Sequence, residues 1–100
     1  MDEIFRNDSV TVGATVTEVS RSVEPNYQRL DISIVNTGAI AASLGIDTEA
    51  VSGKGVYLAA GGIVSWTVTQ GYPAMNKRIT AVGNGATLAV YERLIPCRSR

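Results

Sequence analysis

Apolar and polar residues alternate along this chain in short runs, and β-branched side chains fill many of the runs. Leu30, Ile32 and Ile34 alternate with Arg29, Asp31 and Ser33. Val10, Val12, Ala14 and Val16 alternate with Thr11, Gly13, Thr15 and Thr17, and Val64, Trp66 and Val68 with Ser65, Thr67 and Thr69. A period of two places every second side chain on one face of a strand, so each run reads as a strand with one buried face. Twelve valines, eight isoleucines and nine threonines reinforce this. Such side chains lose rotamer freedom in a helix and fit a pleated surface.

Turn residues punctuate the runs. Asn36-Thr37-Gly38 follows the clearest strand, Gly61-Gly62 lies between Val56–Ala59 and Ile63–Thr69, and Asn84-Gly85 joins Arg78–Gly83 to Ala86–Glu92. Asn-Gly between strand-like runs predicts a two-residue hairpin, because that turn needs positive φ at both positions. Gly61-Gly62 predicts a second hairpin on the same grounds. Polar loops are expected over 20–27, 47–54 and 70–77. Ala39–Leu44 leaves a short helix open. About seven short strands with no helical crossover predict an all-β domain, an antiparallel sandwich or small barrel. The expected core is Val10, Val12, Val16, Leu30, Ile32, Ile34, Leu58, Val64, Trp66, Val68, Ile79, Leu88 and Val90. The domain proper is expected over 9–93, flanked by an N-terminal arm at 1–8 and a C-terminal tail at 94–100.

Composition then excludes whole classes of function. Nine basic and nine acidic side chains cancel, which argues against a nucleic-acid binder that works through a basic stripe. The chain has no histidine, the commonest general base and metal ligand. Its one cysteine, Cys97, excludes an internal disulfide or a Cys-rich zinc site. No apolar run approaches the length of a membrane-spanning helix, and Met1-Asp2-Glu3 is acidic where a secretory signal is basic. The expectation is a protein made in the cytoplasm without a signal peptide.

No catalytic set emerges. A serine nucleophile would need Lys54 or Lys77 as its base, and nothing in the sequence brings a serine to either. Asp47 and Glu49 read as a solvated loop, not as a glycosidase pair or a calcium site, since no EF-hand spacing accompanies them. Gly53-Lys54-Gly55 lacks the length and the following Ser or Thr of a phosphate loop. The chain is therefore expected to be no enzyme, with no catalytic residue, no cofactor and no metal. Candidate contact residues lie in the loops and at the ends. Tyr27 and Tyr72 sit in loops, where tyrosine rings could stack on a sugar. Ile4 and Phe5 are apolar anchors among acidic neighbours, and Arg93, Arg98 and Arg100 cluster at the other end. Anchors of this kind suit docking onto a neighbouring subunit. The opposite charges of the two ends suit contact between copies.

The order of these features also resembles a known group. Arg29-Leu30-Asp31-Ile32-Ser33-Ile34, the turn Asn36-Thr37-Gly38, Leu44-Gly45, Gly55-Val56-Tyr57-Leu58-Ala59-Ala60-Gly61 and Ala86-Thr87-Leu88-Ala89-Val90-Tyr91-Glu92 together resemble small virion proteins of tailed bacteriophages of the β-sandwich type, such as capsid decoration or cement proteins. The resemblance spans about residues 9–93 and is one of strand and turn pattern, not of a signature motif. It implies a non-enzymatic structural role in the virion, as a homo-oligomer such as a trimer bridging major capsid subunits. Alternatives are a neck, tail or fibre component of the virion, or a carbohydrate-binding module. Neither nucleic acid nor membrane is implied as a partner.

Overall fold

The computed structural model describes residues 3–24, 26–68 and 75–96, and all their regular structure is β. Eight strands follow in order: β1 Ile4–Thr11, β2 Thr17–Ser20, β3 Tyr27–Asn36, β4 Ala42–Ile46, β5 Val56–Leu58, β6 Ile63–Thr67, β7 Ile79–Val82 and β8 Thr87–Pro96. They form two four-stranded sheets, β1-β8-β3-β6 and β2-β7-β4-β5, and every pairing is antiparallel. This is the antiparallel β-sandwich that the alternation predicts. The possible helix at 39–44 is absent: 39–41 are irregular and 42–44 open strand β4.

The topology has a simple origin. The pairs β1/β8, β2/β7, β3/β6 and β4/β5 are those of one long hairpin whose tip is the loop between β4 and β5. That ribbon is rolled so that β8 also lies on β3 and β7 on β4. The result is a double-sheet jelly roll. Its connections pass from one sheet to the other everywhere except at β4–β5.

This corrects both expected hairpins. Asn84-Gly85 does reverse the chain: Gly85 has φ of +94°, and the Ala86 N–H donates to the Gly83 carbonyl at 2.8 Å. The turn nevertheless carries β7 in one sheet to β8 in the other. Gly61-Gly62 likewise joins β5 to β6 across the layers. A turn sequence encodes a reversal, whereas the layer in which the next strand lands is decided by long-range partners. Here β8 gains β1 on one side and β3 on the other, which pairing with β7 would forfeit. Asn36, expected in a turn, is buried at the end of β3 and ties this crossover together. Its side-chain amide donates to the carbonyls of Ile40 at 2.8 Å and Leu58 at 3.0 Å.

The expected strand over 10–17 is split. It breaks at Val12–Val16, where the chain leaves the first sheet for the second, and the Gly13 N–H donates to Thr17 Oγ1 at 3.3 Å. The expected N-terminal arm is also different over its described part. Ile4 to Asp8 belong to β1, in register with Leu94 to Val90 of β8. Leu94–Pro96 of the expected C-terminal tail continue β8. Backbone pairing to a long central strand holds both segments, so composition alone misplaces them.

The core between the sheets contains Val12, Ile32, Ile34, Leu58, Ile79, Leu88 and Val90, as expected, and adds Val19, Ala42, Leu44, Ala81 and Ala86. Val10, Val64 and Trp66 pack at its margin. Val16, Leu30 and Val68 are only half-buried. Leu30 leaves the core because β3 carries a bulge against β8 between Arg29 and Asp31. One extra residue shifts the phase of the strand, so Arg29 points inward where the alternation predicts an outward side chain.

Candidate functional site

Sheet lengths shape one end of the sandwich. In the first sheet β1, β3 and β8 have eight, ten and ten residues, whereas β2, β4 and β7 of the second have four, five and four. The first sheet therefore overhangs the second. Beneath the overhang lies a buried ionic cluster. Arg29 is fully buried, and its Nε donates to Glu92 Oε2 at 2.6 Å. Its Nη2 donates to Ser20 Oγ at 2.9 Å and to the Arg21 carbonyl at 3.2 Å, and its Nη1 to the Met75 carbonyl. One guanidinium thus joins β3, β8, the end of β2 and two loops.

Arg6 completes the cluster from β1. Its Nη1 donates to Glu92 Oε1 at 3.1 Å, its Nη2 to the Val19 carbonyl at 2.9 Å, and its Nε to Asp8 Oδ2 at 2.5 Å. Burial acts to lower the Arg6 pKa. The hydrogen bonds and charges of Asp8 and Glu92 outweigh it and hold that pKa above its ordinary value. Both Glu92 oxygens are engaged, and among the described residues no buried side-chain nitrogen or oxygen lacks a partner. The cluster is therefore a clasp between the sheets.

Beside the clasp is a cavity of about 480 Å³. Ile4 and Leu94 from the overhang, Val19, Val23 and Tyr27 supply apolar wall, while Arg6 and Glu92 supply polar floor. The structure thus brings together two of the contact residues expected from sequence, Ile4 and Tyr27. Phe5 and Arg93 are opposite one another across the β1/β8 ladder, on the outer face of the same sheet. Phe5 is exposed and lies against Tyr91, whereas Arg93 is bound to Asp31 at 2.8 Å. Tyr72, Arg98 and Arg100 lie outside the described residues. Among the described residues no group of three or more acidic, cysteine or histidine side chains is placed to hold a metal ion.

Arg29 and Ser20 are not among the candidates that sequence offers, whereas Glu92 stands among its carboxylates and Tyr91 among its aromatics without an assigned contact. Glu92 leaves a trace, because it stands in phase with Leu88 and Val90 and so falls on the inner face. Arg29 leaves none, because only the bulge turns it inward.

No protein-family model matches this chain, and no curated protein matches it. Its fold is similar to a solved structure from work showing that Bacillus endospore appendages form a novel family of disulfide-linked pili, with a TM-score of 0.60 and 15% identity. The match covers 97% of this chain and 88% of that one. At that identity the likeness is one of fold.

Proposed function

We propose that this chain is a non-enzymatic structural subunit of a tailed-bacteriophage virion, set on the capsid as a decoration or cement protein. The observation that supports this best is the condition of the sheet edges. β5 and β6 are edge strands of the two sheets, and they carry Tyr57 and Ile63, each 64% exposed. An edge strand presents unpaired backbone donors and acceptors, which another strand can satisfy. An edge that also exposes large apolar side chains gains from being covered. The mechanism is area, not chemistry: many copies each bury edge and side chain against a neighbour.

Two further points favour an assembled role. The strand and turn pattern resembles small phage virion proteins, and double-sheet jelly rolls recur in viral capsids. The similar fold in disulfide-linked pili also belongs to an assembly. Disulfides are a poor basis for assembly here. One cysteine forms one bridge and so links chains only in pairs.

The test is solution mass by light scattering, for the chain and for Ile63→Lys. We expect a closed oligomer from the parent chain and a folded monomer from the variant, since a charge on an edge strand blocks pairing. Monomers from both would remove self-assembly from the proposal. Particles lacking the chain should lose heat resistance, and equal robustness would sink the cementing role.

A further inference from the structure

The outer face of the first sheet carries a chemistry that neither the core nor the edges account for. In register across its four strands, Phe5, Arg93, Asp31 and Thr67 form one rung. Asn7, Tyr91, Ser33 and Ser65 form the next. Phe5 and Tyr91 meet diagonally, with ring centroids 6.5 Å apart and planes tilted by 37°. Phe5 is 55% exposed and Tyr91 36%. Beyond Tyr91 the face falls to two serines, whose hydroxyls are 2.9 Å apart. The neighbouring rung holds Arg93 between Asp31 at 2.8 Å and Glu3 at 3.6 Å. An aromatic ledge thus steps down to a hydroxyl floor.

We infer that this step binds a neutral oligosaccharide. A pyranose presents C–H bonds on one face and hydroxyls around its rim. The negative face of an aromatic ring attracts the first, and the serine floor with the Asn7 amide can exchange hydrogen bonds with the second. The charges of the face fit this ligand. Arg93 is neutralised by Asp31 and Glu3, so no free cation is offered to a phosphate or sulfate group. A protein partner would use the two rings, which protein interfaces favour, but not the floor, because serine and aspartate are depleted there. A flat of small hydroxyl side chains leaves room for a bulky polar ligand. The site is separate from Tyr27 and from β5, but its floor includes Ser65 of the edge strand β6, so the solution mass of Ser65→Tyr is measured beside its affinity to keep this inference apart from the assembly proposal.

The experiment titrates the full chain with maltohexaose, cellohexaose, xylohexaose and chitohexaose by calorimetry, with circular dichroism to verify the fold of each variant. At least one of the four should bind. Tyr91→Ala should weaken that binding about tenfold, the loss expected when about 1.4 kcal/mol of contact is removed, while Tyr91→Phe keeps it. Ser65→Tyr, which fills the floor, should abolish it. Tyr57→Ala, on the other sheet, should leave it unchanged. Absence of binding to all four sugars overturns the inference. So does affinity that stays within about twofold in both Tyr91→Ala and Ser65→Tyr. A changed solution mass for Tyr91→Ala with no sugar bound also overturns it, and assigns the face to contact between copies.

Discussion

Arg29 shows how far one inserted residue reaches. On strict alternation it belongs outside, as Ile32 and Ile34 belong inside. The bulge at Leu30 reverses that phase for the part of the strand that precedes it, and a cation then has to be accommodated in the interior. The chain accommodates it with Glu92, Ser20 and two backbone carbonyls. Bulges depend on the register with a strand far away in sequence, so local pattern does not disclose them. Glu92 was legible, because Leu88, Val90 and Glu92 keep step. The energetic consequence is asymmetric. Removing one partner of a buried ion pair strands the other charge, at about 3–5 kcal/mol, whereas replacing both by apolar groups is often close to neutral. Arg29→Ala should therefore lower unfolding free energy by about that amount in urea denaturation. Replacing the whole group, with Arg29→Met, Glu92→Leu and Arg6→Met combined, should recover most of the loss, since Arg6 also pairs with Glu92. A cost below about 1 kcal/mol for Arg29→Ala would mean that the pair contributes no more than a surface one.

At the scale of elements, strands were legible and layers were not. The existence of β3, β6 and most of β8 follows from local alternation and β-branching, whereas the first half of β1 was read as an arm and β2 was not separated from the run before it. A strand's sheet follows from partners up to a chain length away, as at Asn84-Gly85, where the turn residues are right and the expected pairing is not. The short strand β5 depends on its flanks in the same way. Gly55, just before it, has φ of +77°, and a Cβ there would lie 2.3 Å from the Leu44 carbonyl oxygen. Gly53, two residues earlier, has φ of +79° and open space around the same position. The two glycines separate conformational strain from steric clash. Gly53→Ala should cost only the left-handed strain, about 1–2 kcal/mol. Gly55→Ala should cost distinctly more, because a backbone oxygen of β4 has to move and the β4/β5 ladder with it. Thermal melts of the two variants decide this, and equal losses would show that the β4 backbone yields freely.

The whole molecule is closed by its outermost strands. Ile4 pairs with Leu94, so the ladder between β1 and β8 is made only when nearly the entire chain is in place. Folds dominated by such distant pairings fold in milliseconds to seconds, because loop closure precedes any reward. Sequence alone reads residues 1–8 as an arm that flanks the domain. The structure places Arg6 of that segment on Glu92 and on the carbonyl of Val19, where it clasps one sheet to the other. Deletion of residues 1–8 should accordingly destabilise the fold, with a lower urea midpoint and faster unfolding. An unchanged midpoint would return the segment to the status of an appendage. The same pairing sets how the molecule bears a load. The first residues of β1 lie beside the last of β8, so tension applied through these two strand ends opens their ladder like a zipper, one hydrogen bond at a time. Tension applied along a strand from opposite ends would instead have to shear many bonds together. A subunit built this way is weakest when pulled by its tips, and it is better suited to being gripped along its flanks.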